Sequence, residues 1–396
     1  MLSLLSPVAG SAQLTEAQVV ERALSRPAVR DILEGDVDVV RADAIRAGMW
    51  ANPTISYTRE QTSGGSPAAS EDFAQIAQAF DVSGRRGLRS RAADHRVEAA
   101  RLRGTSLRLQ LETDVRTRFY DVVLAQQRAG ASEEALRRIG PLVDLVARRA
   151  QAGDVSGYDR KRIDRERLSV QARLDAEAAQ LSRSRERLAA LLGAAPSSEL
   201  RVSGDLLPAI PAEVDVPAVL RQRPDLRTLG EESTAGDLER SAGRRGWIPD
   251  VQVAAGYKGT AAAGERADGF TLGLAVPLPL FDRLQDESLR GDGRARAARG
   301  RLALEEAAAA GDIRGLHAEA AQLARAARAF RDEATAASRD LLSTAEAAYR
   351  GGELGILELV DAYRGALDSE LQALDLAWTA RRARIDLDLA TAGATR

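Results

Sequence analysis

The chain states one structural programme twice, about 197 residues apart, and few folds accommodate such a duplication within 396 residues. Trp50-Ala51-Asn52-Pro53 opens an alternating segment, and Trp247-Ile248-Pro249-Asp250 opens another. Ser25-Arg26-Pro27 is echoed by Gln222-Arg223-Pro224, and Gly153-Asp154-Val155 returns as Gly352-Glu353-Leu354. Each half therefore reads as a short helix, two strands, a very long helix, a tight turn and a second long helix.

Composition supports long helices over globular cores. Aromatics are 4% and Met numbers 2, while charged residues reach 29% with Ala, Leu, Arg and Glu prominent. The net charge of −2 and the interspersed signs leave no nucleic-acid footprint. Cys is absent, which removes disulfides, thiolate metal sites and a Cys nucleophile. Residues 1–12 are apolar and then small, with Gly10 and Ala12 placed as in a signal cleavage site, although a basic start is missing. They read as a signal-peptide remnant. No apolar run approaches the length of a transmembrane helix.

The first repeat is expected over 13–193, with strands at about 51–61 and 72–83 and long helices at about 86–150 and 157–192. Thr15 reads as the N-cap of a helix broken at Pro27, and Gly140-Pro141 should bend the first long helix. Ile55 and Tyr57 alternate with polar residues, as do Ala74, Ile76, Phe80 and Val82, where Gln78 spoils the face. The tip between these strands falls at Ser63 to Pro67. Pro196, Pro208, Pro211 and Pro217 mark 194–223 as a linker. The second repeat, 224–396, is expected to hold strands at about 248–259 and 269–280, joined by a loop from Ala261 to Asp268, and helices at about 286–350 and 355–391. In the last helix Tyr363, Leu367, Leu371, Leu374, Trp378 and Ile385 form one apolar seam that needs neighbours.

Strands of about ten residues have the length of a tilted transmembrane β-strand, though a soluble hairpin packed on a helix gives the same pattern. Four such strands cannot close in lipid alone; two chains would supply eight and three would supply twelve. Trp50 and Trp247 occupy matching positions where an interfacial aromatic girdle belongs.

The segment order, the duplication and several motifs resemble the TolC family of trimeric outer-membrane efflux and secretion channels. The carrying residues are Val276-Pro277-Leu278-Pro279-Leu280-Phe281-Asp282-Arg283, Asp81-Val82-Ser83-Gly84-Arg85-Arg86, Tyr349-Arg350-Gly351-Gly352 and Leu359-Val360-Asp361-Ala362. The resemblance implies a mainly α fold with a small β part. Long helical hairpins would form a periplasmic α-barrel, and four strands per chain would join a trimeric twelve-stranded transmembrane β-barrel. It also implies a homotrimer in the outer membrane of a Gram-negative bacterium. Its partners would be a periplasmic adaptor (membrane fusion protein), an inner-membrane pump, outer-membrane lipid and no nucleic acid. The Ser-Gly-Arg-Arg and Pro-Leu-Pro-Leu-Phe-Asp-Arg segments are most similar to the cobalt–zinc–cadmium resistance branch, whose pumps are of the resistance–nodulation–division type. Leu284 and Asp286 depart from that branch, where Asn and Gly flank the position of Gln285.

The turns Gly153, Asp154, Val155, Ser156 and Gly352, Glu353, Leu354, Gly355 are expected at the periplasmic tip, where the family meets its adaptor. The resemblance further places Asp159, Glu358 and Asp361 among acidic groups lining the constricted end, and Tyr349 as an aromatic that keeps the inner helices closed. The family's basic gate residue falls at Leu354, so that charged linkage is missing. Solvated i,i+4 pairing is the plainer reading of Glu358. His95 and His317 lie far apart without a ligand cluster, so no metal site or cofactor is assigned. With no phosphate loop, nucleophile elbow or paired catalytic carboxylates, the chain does not read as an enzyme. Drug efflux and type I secretion remain alternatives within the class, and a non-pore periplasmic coiled-coil scaffold is the alternative outside it.

Overall fold

The computed structural model describes residues 13–62, 69–193 and 200–392. The proposed signal remnant, the Ser63–Pro67 tip and Pro196 lie outside them. The chain divides into two compact units: one of residues 1–31, 106–223 and 307–396, the other of 32–105 and 224–306. No helix among the described residues is long and apolar enough to cross a membrane.

The second unit carries the sheet. Strands β1 (Thr54–Thr62), β2 (Ala69–Phe80), β3 (Val251–Ala262) and β4 (Glu265–Ala275) pair antiparallel in the order β1-β2-β3-β4. β1, β2 and β3 lie a few residues from their expected bounds. Pro53 and Pro249 cannot donate to a ladder, so β1 and β3 begin only after them. The largest difference is at the second hairpin. Ala263 and Gly264 both take positive φ (57° and 86°), a two-residue turn that lets the expected loop run as strand up to it. Pro277 and Pro279 then leave β4 ending at Ala275.

Register sorts the side chains into two faces. Ile55, Ile76, Ala255 and Leu272 align in one row, and Tyr57, Ala74, Tyr257 and Phe270 in the next. Phe270, Leu272 and Leu274 on this face are 84%, 77% and 71% exposed, so none of the described residues covers it. The opposite face carries Ser56, Glu71, Gln75, Lys258 and Thr271, with Lys258 Nζ 2.7 Å from Glu71. Gln78, the polar residue on the apolar face, donates to the carbonyls of Ala51 and Ala79 at 2.8 Å.

In the same unit α6 (Pro224–Arg244) packs on the start of α7 (Gln285–Ala329) backbone to backbone. A Cβ on Gly236 would lie 2.7 Å from the Ala295 nitrogen, and one on Gly243 would lie 2.7 Å from Ser288 Cα. One on Gly291 would collide with the Arg240 backbone.

The other unit is built from helical hairpins. The helix α1 (Glu16–Leu24) begins at Thr15 with a capping box closed by Gln18. Helix α2 (Pro27–Gly48) starts at the proline that stops α1 and falls mostly in the sheet-bearing unit. Helix α3 (Arg85–Ala152), whose residues from Ser106 on belong to the hairpin unit, runs through Pro141 as one helix. Helix α4 is Gly157–Leu192, and α5 is Val216–Gln222. The expected second outgoing arm is interrupted: α7 gives way to a π-helical turn at Phe330–Thr335 before α8 (Ala336–Gly351). Thr335 Oγ1 donates to the Phe330 carbonyl at 3.5 Å across that turn. The return arm is α9 (Ile356–Ala390).

The echoed Arg-Pro pairs have one structural use. Arg26 donates to the carbonyls of Ala190 and Leu191 at 3.1 and 2.8 Å, and Arg223 donates to Ala390 at 2.8 Å. Each guanidinium meets the negative C-terminal end of the return helix in its own repeat. The described part of 194–223 is anchored as well: Val202 bridges to Leu14, and Leu206 and Leu207 enter a core with Phe119, Val123, Leu188 and Ile385.

Candidate functional site

The site is the end of the hairpin unit where α3 turns into α4 and α8 into α9. Gly153 and Gly352 take φ of +85° and +78°, the left-handed conformation that ends a helix and reverses the chain. The Asp154 amide donates to the Arg149 carbonyl and the Glu353 amide to Ala348, both at 2.9 Å. Both turns thus close with the same six-to-one hydrogen bond, 199 residues apart.

Beyond these bonds the turns differ. Ser156 caps α4: its Oγ accepts from the Asp159 amide at 3.1 Å and donates to the Asp159 carboxylate at 2.7 Å. Asp159 is therefore held by its own cap. In the second turn the cap is Gly355, which has no side chain, and Glu358 stands in Asp159's position. A Cβ on Gly355 would meet Glu358 Oε2 at 2.7 Å, so this carboxylate folds back over the glycine. Glu358 and Asp361 are both exposed on α9. Val155 and Leu354 pack against a core formed by Ile139, Val146, Ile163, Tyr349, Ile356 and Leu359.

Tyr349 is only 4% exposed and lies in that core, its hydroxyl without a hydrogen-bond partner among the described residues. Arg149 covers its ring at 5.4 Å and donates to the carbonyls of Tyr349 and Arg350 at 3.4 and 3.2 Å. The last turn of α3 thereby caps the last turn of α8. Tyr349 is brought together with the tip core, whereas Asp159, Glu358 and Asp361 are brought into no common cluster within one chain.

Sequence reasoning missed the polar contacts just above the tip. Glu166, buried on α4, accepts from Arg364 Nε on α9 at 2.7 Å, and Arg173 meets Asp368 at 2.7 Å. These pairs flank the apolar contact of Val170 with Leu367 and Leu371. The Tyr363 hydroxyl donates to Glu346 at 2.7 Å; burial and that carboxylate hold the phenol far above its ordinary pKa, so it stays a neutral donor. Opposite charges beside a seam residue, at near-matching repeat positions (Glu166 and Arg364), were the available signal.

Trp50 and Trp247 stand 50% and 66% exposed just before β1 and β3. Arg86 lies 4.0 Å over the Trp50 ring, and Phe80 meets it edge-on at 6.0 Å. Of the two histidines, His95 contacts Glu231 at 2.6 Å and His317 the Ala212 carbonyl at 2.9 Å. Among the described residues no three His, Cys, Asp or Glu gather as metal ligands.

A four-stranded sheet with an exposed apolar face, joined to duplicated helical hairpins, defines the fold of the TolC-type outer-membrane channels of Gram-negative bacteria. Solved structures bear this out. The outer-membrane channel OprN superposes with a TM-score of 0.78 at 21% identity, covering 96% of this chain and 90% of that one. CusC gives 0.79 at 18% identity over 98% and 95%. The MtrE channel of Neisseria gonorrhoeae gives 0.77 at 18% over 96% and 89%. No protein-family model matches the chain. Among curated proteins it is similar to the nickel-cobalt-cadmium resistance protein NccC of Alcaligenes xylosoxydans xylosoxydans, 26% identical over 308 residues, 76% of this chain and 70% of that protein. The cobalt-zinc-cadmium resistance protein CzcC of Cupriavidus metallidurans is 27% identical over 261 residues, covering 63% of this chain and 59% of its own length.

Proposed function

We propose that this chain is one third of an outer-membrane exit duct, passively conducting metal cations delivered by an inner-membrane pump through a periplasmic adaptor. The observation that carries the reading is the sheet. β1 and β4 each leave one edge without a strand partner among the described residues, and the face beside them is apolar and exposed. An open edge in lipid costs several kcal/mol per unpaired group, so copies must close the sheet. Three copies, as in the fold's family, give twelve strands.

The cargo reading rests on the metal-resistance relatives. Conduction needs no resident metal site, because tight binding would slow exit. In this reading the turns at Gly153–Ser156 and Gly352–Gly355 meet the adaptor. Glu358 and Asp361, exposed on α9, line the narrow mouth in three copies each, while Tyr349 fixes α8 behind them. Asp159 belongs to the cap of α4, and a direct part in the lining falls to the second repeat.

The experiment is deletion of the gene in a strain without redundant channels, followed by tolerance assays for nickel, cobalt, zinc, cadmium and a set of lipophilic drugs. Loss of metal tolerance with drug tolerance intact is expected. Unchanged metal tolerance would overturn the cargo assignment, and a drug-only phenotype would transfer the duct to drug efflux.

A further inference from the structure

We propose that the cavity beside Trp247 binds the phosphate headgroup of an anionic phospholipid in the inner leaflet of the outer membrane. The proposal rests on reading the sheet as membrane-spanning. The cavity is about 640 Å³ and lies between the end of α6 and the start of α7, lined by Arg240, Arg244, Trp247, Arg283, Ser288 and Leu289.

Its charge suits an anion. Three guanidinium groups face it against one carboxylate, Asp292. That carboxylate is already engaged by Arg240 at 3.5 Å and Arg296 at 3.1 Å. Arg244 is exposed and makes no ion pair among the described residues. Arg240 keeps a buried Nε without a hydrogen-bond partner, although its other nitrogens reach Asp237 and Asp292. An exposed, unpaired guanidinium such as that of Arg244 binds phosphate oxygens through charge-assisted hydrogen bonds.

Its surroundings suit a lipid rather than a free ion. Arg283 donates back to the carbonyls of Pro279 and Leu280 at 3.2 and 3.5 Å, which ties the cationic wall to the segment leaving β4. On that segment Leu278, Leu280 and Phe281 are 74%, 62% and 92% exposed. Acyl chains on these residues and a phosphate against the arginines describe one amphipathic molecule, with the Trp247 indole at the boundary between them.

The two repeats differ here in an informative way. Around Trp50 the matching space is filled from within, by Arg86 over the ring and Phe80 at its edge. Among the described residues Trp247 has no ring or cation–π partner, and it fronts the open cavity instead.

The test uses the full chain purified in an uncharged detergent, with bound lipid counted by native mass spectrometry. Short-chain phosphatidylglycerol, short-chain phosphatidylcholine and inorganic phosphate are added in separate arms. Phosphatidylglycerol should bind in preference to phosphatidylcholine, and Arg244→Ala should weaken it about tenfold, with Arg244→Lys in between. Inorganic phosphate at equal concentration should not displace it. Equal binding of the two lipids, an unaffected Arg244→Ala variant, or displacement by inorganic phosphate would each overturn the proposal. Dissociation of the oligomer by Arg244→Glu would instead assign the cavity to a contact between copies, and would also overturn it. Recovery of the wild-type chain from aqueous buffer without detergent would refute the membrane reading itself, independently of these arms.

Discussion

At the scale of single residues, the most consequential group is one that no motif marks. Arg116, on α3, is buried with Asp388 2.9 Å from Nη2, and Nε donates to Glu16 at 2.5 Å. Burial disfavours its charge, but the two carboxylates outweigh that and raise its pKa, so the guanidinium is charged in the folded chain. Asp388 is also 2% exposed and receives Arg384 at 2.9 Å. Removing Arg116 leaves Glu16 and Asp388 short of a cation, and breaking such a buried pair costs about 3–5 kcal/mol. Arg116→Ala should therefore lower unfolding stability by about 3 kcal/mol in denaturant titration, Arg384 retaining part of the compensation. The double change Arg116→Met with Asp388→Leu should recover part of the loss, because it removes both buried charges. A single variant as stable as the wild type would show that this network carries no weight. None of this is legible in sequence, since the partners lie 100 and 272 residues away and each reads alone as one more solvated charge.

At the scale of elements, the sequence reading succeeds where a local rule has one outcome. Pro27 stops α1, Thr15 with Gln18 starts it, and Gly153 and Gly352 end α3 and α8 by the same left-handed turn. It fails where two rules compete. The alternation through Pro277 looked like strand, but a missing amide outweighs a favourable pattern, and β4 ends first. The π-helical turn at Phe330–Thr335 has no composition signal, because Ala, Arg and Glu serve α and π geometry alike. The glycines of α6 and α7 belong to this scale. In a helix interior Gly costs about 1 kcal/mol relative to Ala, so each should be a weak point unless the space is needed. At Gly236 and Gly291 it is needed, because a Cβ would strike the partner helix backbone. Gly300 has nothing within 4 Å. Gly291→Ala should thus destabilise by about 1–3 kcal/mol through overpacking, while Gly300→Ala should stabilise by up to about 1 kcal/mol. Thermal unfolding of the two variants side by side decides it; shifts of the same sign would contradict the close packing of α6 on α7.

At the scale of the whole molecule, duplication makes two equivalent hairpins per chain, but the residues at their tips divide the labour. The first turn spends its acidic residue on a cap, since Ser156 and Asp159 satisfy one another. The second turn has glycine at the cap, which leaves Glu358 without a hydroxyl to hold it, and Asp361 follows exposed one turn along. Three chains would therefore present three Glu358 and three Asp361 carboxylates from the second repeat and three tied carboxylates from the first. Rings of carboxylates favour cations in a narrow pore by raising their local concentration. If three copies assemble as proposed, the wild-type protein in planar bilayers should show a cation-selective reversal potential under a salt gradient. Glu358→Gln with Asp361→Asn should move that potential toward zero, whereas Asp159→Asn should leave it nearly unchanged. The same Asp159 change should instead lower stability by about 0.3–1 kcal/mol, the ordinary scale of a carboxylate charge lost from the first turn of a helix. Both side chains altered in the selectivity variant are exposed on α9, so their loss should not disturb the core around Tyr349 and Leu359. A selectivity that follows Asp159 and ignores Glu358 and Asp361 would reverse the assignment and place the constriction on the first repeat.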